Sequence, residues 1–139
     1  MSTHIMKYVA LPKRVTAVLA AVLVGLGVSL SAAPAHADVY PSCDLSTCAD
    51  GVTAESTWES LGDPTSRGWY DLSDGECDYA GGEYYNDDGQ LPSGDTYYEY
   101  DVYPRACGAH RDAYRVVHDI TADVWYFTPD HYSNFYQLS

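Results

Sequence analysis

The N-terminal segment of this chain decides how much of the chain is available to fold. Three basic residues precede an apolar run, residues 15–30, that carries no charge, and Ala35-His36-Ala37 then precedes an aspartate. A basic start, an apolar middle and an A-x-A end are typical of a secretory signal peptide, and the run is short for a membrane span. We therefore predict a signal peptide over residues 1–37 and one exported, extracellular domain over residues 38–139. A retained membrane anchor is the alternative.

All four cysteines lie in the predicted domain, at Cys43, Cys48, Cys77 and Cys107. An even number of cysteines in an exported chain indicates two disulfides. Three pairings are possible, and we favour Cys43–Cys48 with Cys77–Cys107 because the first two are close in sequence. A zinc site is the alternative, although no CxxC pair is present.

The charge of the predicted domain is strongly negative. It has four arginines, no lysine and all 20 acidic residues of the chain, which gives a net charge of −16 with histidine neutral. Such acidity argues against broad, nonspecific adhesion to nucleic acid or to anionic membranes. Any site for an anion must therefore be local, and the arginines are the residues to consider.

The pattern of residues predicts an α+β fold, with one short N-terminal helix packed on a twisted antiparallel β-sheet. Thr53 can cap a helix over residues 53–61, on which Trp58 and Leu61 share a face, and Gly62 would end it. Residues 63–82 are rich in Gly, Asp and Ser and are predicted to be loop. Strands are predicted where β-forming residues are dense. The four predicted strands cover residues 95–103, 111–120, 123–127 and 132–138.

Four features of the strand region could carry chemistry. Glu99 lies in the middle of a predicted strand. Arg111 and Arg115 are four apart in the next strand, which would put them on one face. His131 would begin the last strand, and Asn86-Asp87-Asp88-Gly89 is a polar loop. Each alone is usually a surface residue or a turn, but together they suggest an acid–base pair around an anion pocket.

Residues 84–135 resemble the secreted guanyl-specific ribonucleases of bacteria and fungi, the group of barnase, the Streptomyces ribonucleases and the T1-type enzymes. The resemblance covers about half of the predicted domain, with its motifs in the same order and at similar spacing. They are the glutamate strand Tyr97-Tyr98-Glu99-Tyr100, the arginine strand Arg111-Asp-Ala-Tyr-Arg115, the histidine segment Asp130-His131-Tyr132 and the guanine-recognition loop Tyr84-Tyr-Asn-Asp-Asp88.

The resemblance implies metal-independent cleavage of RNA, with no cofactor. Glu99 would accept the proton of the ribose 2′-hydroxyl, and His131 would protonate the leaving 5′-oxygen. Arg115, with Arg111 beside it, would hold the phosphate oxygens. No metal is required because the substrate supplies its own nucleophile. DNA lacks the 2′-hydroxyl and should not be cut.

The resemblance also implies a guanine site. Asp88 would accept from N1–H and N2–H of the base, backbone groups around Asn86 would meet its other edge, and Tyr84 and Tyr132 would stack on the base or flank the phosphate. Asp88 replaces the usual glutamate, and Asp87 stands where bacterial members often have arginine. The family further suggests an intracellular protein inhibitor as a partner, and we expect a monomer.

Two other functions remain as alternatives. The two aspartates of the polar loop motivate a catalytically weak member that binds a nucleotide or a partner protein. The acidic segment Asp71–Asp78 suggests a calcium-dependent module, although it lacks the ligand spacing of an EF-hand loop.

Overall fold

The computed structural model describes residues 38–139, which form one helix and a seven-stranded sheet. The predicted signal peptide and its cleavage point lie outside the described residues. Within the described part, no helix is long and apolar enough to cross a membrane. The elements in chain order are β1 (Val39–Tyr40), α1 (Cys48–Ser60), β2 (Gly68–Asp71), β3 (Cys77–Tyr84), β4 (Tyr97–Asp101), β5 (Arg115–Asp119), β6 (Val124–Thr128) and β7 (Phe135–Gln137).

The sheet has the order β1-β7-β6-β5-β4-β3-β2. Five of its six pairings are antiparallel, but β1 pairs parallel with β7, with Val39 opposite Phe135. The predicted α+β class is therefore confirmed, whereas the prediction of an antiparallel sheet is wrong because the sheet is mixed. Parallel neighbours need a long connection rather than a hairpin, so turn signals in the sequence do not reveal this pairing.

Helix α1 begins at Cys48, five residues before the predicted start. Thr53 is not its cap, because the Thr53 hydroxyl donates to the Ala49 carbonyl at 2.9 Å within the helix. The helix ends where predicted, and Gly62 follows it with φ +80°, a conformation that favours glycine. Trp58 is fully buried, and its Nε1–H donates to the Asp101 carbonyl at 2.9 Å. This bond joins the helix to the strand that carries Glu99.

The predicted loop over residues 63–82 is wrong, because this segment contains β2 and most of β3. The two strands pair as a hairpin, in which Trp69 lies opposite Tyr79 with the ring centroids 5.2 Å apart. The Gly, Asp and Ser residues that suggested a loop lie in both strands as well as in the turn, where Asp74 Oδ1 accepts from the Glu76 N–H at 3.0 Å. The acidic segment considered as a calcium loop is therefore largely the turn of this hairpin.

Two disulfides connect the four cysteines, with Cα–Cα distances of 5.8 Å for Cys43–Cys48 and 5.0 Å for Cys77–Cys107. The favoured pairing is confirmed. The zinc alternative is wrong, because no free thiol remains among the described residues.

The two faces of the sheet bury different apolar clusters, because successive side chains of a strand point to opposite faces. On β4, Tyr100 packs with Trp58 of the helix and with Phe127. Tyr97 of the same strand packs in a second cluster that includes Val117 and Phe135. Glu99 shares the face of Tyr97, which leaves its side chain on the side of the sheet away from the helix.

The free energy of unfolding depends on pH through Asp78 on β3. Its side chain is buried, and Oδ2 has no hydrogen-bond partner among the described residues. Burial, aided by the charge of Asp101, raises the pKa of Asp78 from 3.8 to about 7. Because the folded-state pKa lies above the unfolded one, this carboxyl contributes stability below about pH 4, which is lost as the pH rises through 7.

We therefore expect Asp78→Asn to stabilise the protein at pH 8, by on the order of 1–3 kcal/mol, and to change stability little at pH 4. Urea unfolding at the two pH values measures the difference. An equal effect at both pH values would show that ionisation of Asp78 is not its cause.

Candidate active site

A cleft of about 560 Å³ lies on the face of the sheet away from the helix. It is lined by residues from β3, from β4, from the loop after β3 and from the turn between β6 and β7. The structure brings six of the predicted site residues together in this cleft: Tyr84, Asn86, Asp88, Glu99, His131 and Tyr132.

Glu99 is positioned by a β-bulge in the neighbouring strand. Gly82 lies opposite Glu99 and Ala80 lies opposite Tyr100, so Gly81 is an extra residue in β3. A Cβ atom at Gly81 would overlap the Glu99 carboxylate. Only glycine leaves room for the carboxylate at this point, and bulges of this kind are common where a strand borders an active site.

Tyr132 holds the Glu99 carboxylate in place, because its hydroxyl donates a hydrogen bond to Oε2. Burial, and then the nearby charge of Glu99, raises the pKa of Tyr132 well above its ordinary value. Tyr84 stacks on Tyr132 with the ring centroids 4.9 Å apart. Burial, with the charges of Asp88 and Glu99, raises the pKa of Tyr84 to about 12. Both phenols therefore stay protonated at physiological pH and form a neutral aromatic wall.

His131 lies in the turn before β7 rather than in that strand, so its predicted place in the last strand is wrong. The strand starts four residues later, because His131 and Tyr132 adopt the left-handed conformation at φ 54° and 69°. Asp130 stabilises this strained turn: it accepts from the Thr128 hydroxyl and from the backbone and side-chain N–H groups of Asn134 at 2.7–3.1 Å. The exposed imidazole of His131 consequently lines the cleft beside Tyr132.

The polar loop after β3 is closed by its asparagine. The side chain of Asn86 donates to the Leu91 carbonyl at 2.9 Å and accepts from the Leu91 N–H at 3.1 Å. Asn86 itself has φ 51°, and its carbonyl accepts from the Gly89 N–H at 2.8 Å. The amide of Asn86 therefore shapes the loop, while Asp87 and Asp88 stay exposed.

Arg111 and Arg115 do not line the cleft, and only Arg115 belongs to a strand. The interpretation that both lie on one face of a strand is wrong, because the chain from residue 106 to 114 is irregular. Both guanidinium groups instead converge on the buried carboxylate of Asp101. Arg111 donates to it through Nε at 3.0 Å and Nη2 at 2.5 Å, and Arg115 Nε lies 3.2 Å from Oδ1.

The same two arginines are near enough to the cleft to act on it electrostatically. Their positive charges lower the pKa of Tyr132, although burial and Glu99 outweigh them. Burial lowers the pKa of Arg111, but the hydrogen bond and the charge of Asp101 more than compensate, so Arg111 remains cationic. Its guanidinium also lies 4.0 Å from the centre of the Tyr79 ring.

Three residues at this site have a role that the sequence alone does not reveal. Arg67 lines the cleft from the segment before β2, a region with no motif, and could have been considered only because arginines are so few. Tyr85 lines the rim and is 71% exposed, which is unusual for an aromatic residue. Asp130 belongs to the histidine segment of the resemblance, but its part in organising the histidine turn appears only in its hydrogen bonds.

Comparison with known proteins gave one family match. A family model described as ribonuclease matches residues 36–139, which is most of the chain. No curated protein sequence matched the chain.

Proposed function

The chain belongs to the ribonuclease family, and on that basis we propose that it cleaves single-stranded RNA after guanosine by transesterification to a 2′,3′-cyclic phosphate. Slower hydrolysis of the cyclic phosphate would give a 3′-phosphate. The observation that carries the proposal is the shared cleft: Glu99, His131 and the loop of Asp88 line it together.

In this proposal Glu99 is the general base and His131 is the general acid. The ionised Glu99 carboxylate takes the proton of the ribose 2′-hydroxyl as the 2′-oxygen attacks phosphorus. The bond to the 5′-oxygen breaks, and protonated His131 gives its proton to that oxygen. Each transfer contributes about 10²–10⁴-fold to the rate. The hydrogen bond from Tyr132 orients the Glu99 carboxylate. The substrate provides the nucleophile, so the chemistry requires no metal.

Arg115 and Arg111 supply fixed positive charge near Glu99, the proposed general base. Asp101 follows Glu99 by two residues and therefore faces the same side of the sheet, so the arginines that it binds lie on the side of the reacting phosphate. Positive charge close to the phosphate favours the transition state, in which negative charge on its oxygens increases.

Guanine recognition is assigned to the loop after β3. The exposed carboxylate of Asp88 can accept from N1–H and N2–H of guanine, a pair of donors that the other bases lack. Backbone groups around Asn86 would contact the opposite edge of the base. Tyr84 and Tyr132 would flank the base or the phosphate, and stacking on a base is worth about 1–3 kcal/mol.

Export of the enzyme fits the two disulfides of the described domain, which form in oxidising compartments. The signal peptide over residues 1–37, the monomeric state and an intracellular inhibitor stay predictions of the sequence and of the family.

Incubation of the purified protein with RNA in EDTA tests the proposal. We expect oligonucleotides with 2′,3′-cyclic phosphate ends, no cleavage of the matched DNA, and a strong preference for G over A in homopolymers and dinucleotides. Absence of cleavage at micromolar protein would reject the ribonuclease activity. Equal cleavage after G and A would reject the guanine site but leave the cleavage chemistry in place.

A second candidate function is a catalytically weak member that binds a nucleotide. The observation in its favour is that Asp87 and Asp88 add two exposed negative charges to the cleft, which repel a polyanion. Under this alternative, the same assay would show little or no cleavage, while a separate titration with guanosine would show binding.

A further inference from the structure

The arginines of the described domain differ in whether a carboxylate lies within salt-bridge distance of them. Arg105, Arg111 and Arg115 each lie within 4.0 Å of at least one carboxylate oxygen, of Asp101 or Asp112. Arg67 is the only arginine in residues 38–139 without such a partner. Among residues 38–139 it is also the only arginine that lines the cleft. The one guanidinium of residues 38–139 that has no carboxylate oxygen within 4.0 Å therefore faces the candidate active site.

Arg67 is held at the cleft by the bulge in β3. Its Nε–H donates to the carbonyl of Gly81, the extra residue of the bulge, at 2.6 Å. The backbone of Arg67 packs over Gly82, where an added Cβ would lie 3.5 Å from Arg67 Cβ. Only Nε is used in this bond, so the terminal Nη groups have no hydrogen-bond partner among the described residues. The guanidinium is thus oriented and still has donors available.

The same glycine connects Arg67 to the general base. The Glu99 carboxylate lies against Gly81 Cα, and the Arg67 guanidinium is bound to the Gly81 carbonyl. Both side chains therefore contact the same residue of β3, but they do not form an ion pair within 4.0 Å. A group that bridges them must accept hydrogen bonds from Arg67 and lie beside the atom that Glu99 deprotonates. A nonbridging oxygen of the phosphate next to the 2′-hydroxyl meets both conditions.

We propose that Arg67 binds the nonbridging oxygens of the scissile phosphate, and this inference rests on the proposed ribonuclease function. Arginine suits the task because its planar fork donates two parallel hydrogen bonds to a phosphate and stays charged at every physiological pH. The positive charge stabilises the phosphate oxygens as negative charge accumulates on them in the transition state. In a cleft that also contains Glu83, Asp87 and Asp88, this cation offsets the repulsion of the substrate.

The test compares wild type with Arg67→Ala on a guanylyl dinucleoside monophosphate, in which the scissile phosphate is the only phosphate. We expect kcat/KM to fall by about 10–100-fold, with partial recovery in Arg67→Lys, which keeps the charge and loses the fork. Binding of the uncleavable 2′-deoxy dinucleotide should weaken by a similar factor. Binding of guanosine, which has no phosphate, should change less than twofold. If the hydrogen bond from Arg67 to Gly81 served only to anchor the bulge, Arg67→Ala would weaken the binding of both ligands equally.

The matched control is Ser56→Glu, on the exposed side of α1 and on the opposite face of the sheet. It changes the net charge by the same −1 and should alter kcat/KM by less than threefold. Equal rates for wild type and Arg67→Ala, or equal losses for guanosine and the deoxy dinucleotide, would overturn the inference. A loss that appears only with longer oligonucleotides would overturn the assignment to the scissile phosphate.

Failure of the proposed function is distinguishable from failure of this inference. If the wild-type protein does not cleave RNA, the ribonuclease proposal fails. The binding comparison between the deoxy dinucleotide and guanosine still decides whether Arg67 binds the phosphate. If the wild type cleaves and Arg67→Ala cleaves equally well, only the inference about Arg67 fails.

Discussion

Replacement of Glu99 by glutamine should lower kcat/KM for RNA cleavage by about 10²–10⁴-fold and leave the fold intact. Glutamine has nearly the same shape, so it fits over Gly81, and its amide oxygen can still accept from the Tyr132 hydroxyl. It cannot take a proton from the 2′-hydroxyl. Initial rates on a guanylyl dinucleotide, with the circular dichroism spectrum and melting temperature of each variant, separate lost chemistry from lost structure.

The pH profile provides a sharper form of this prediction. Because the mechanism needs an ionised base and a protonated acid at the same time, the wild-type rate should follow a bell-shaped curve in pH. Glu99→Gln should remove the rise at acid pH, and His131→Ala should remove the fall at alkaline pH. Glu59→Gln, an exposed glutamate on the helix, is the matched control and should keep the full bell. A bell that survives in Glu99→Gln would refute the assignment of Glu99 as the base.

Replacement of Asp101 by asparagine should destabilise the protein by about 3–5 kcal/mol. The Asp101 side chain is fully buried and compensates Arg111 and Arg115, while Arg105 lies 3.8 Å away. Loss of the Asp101 charge leaves the arginines around it without their counter-charge. This costs much more free energy of unfolding than an exposed ion pair contributes. Urea unfolding measures the free energy, and the melting temperature should fall by more than about 12 °C.

The control for Asp101 is Asp112→Asn in the same cluster. Asp112 bonds to Arg105 at 2.9 Å and to the Tyr114 N–H at 2.9 Å, but its side chain is 35% exposed, so solvent screens the change. We expect a loss of about 1 kcal/mol there. Losses of equal size at Asp101 and Asp112 would show that burial of the carboxylate does not govern the stability of the cluster.

The parts of the site that the sequence predicted are those encoded by short local motifs. Glu99 lies in a strand of β-forming tyrosines, and the structure places it in β4 as expected. Asp88 belongs to a loop with a recognisable composition. The helix end at Gly62 follows from the conformational freedom of a single residue. Each of these depends on neighbours within a few positions, which is the range over which composition and periodicity carry information.

The parts that the sequence did not predict depend on contacts between distant residues. Asp101 binds Arg111 and Arg115 across 10 and 14 positions, and no pattern in the sequence joins them. The bulge at Gly81 leaves room for Glu99 on the partner strand, so its role appears only once the two strands are paired.

The position of Arg67 at the cleft likewise depends on contacts between distant residues. Its segment contains no motif, and it reaches the cleft only because β2 and β3 form a hairpin whose bulge carbonyl binds the guanidinium. The hairpin is not apparent from the sequence, because Gly and Asp occur in its strands as well as in its turn.

The Cys77–Cys107 bond closes a loop that spans 30 positions and contains all of β4 with Glu99. Closure of a loop of this length restricts the unfolded chain and is worth about 3–4 kcal/mol in the chain-entropy description. That energy multiplies the ratio of folded to unfolded molecules by a factor of several hundred. A thiol reductant should therefore lower the melting temperature of the protein without touching its cleft. The same polypeptide should be less stable wherever glutathione keeps cysteines reduced, so its stability depends on the compartment in which it folds.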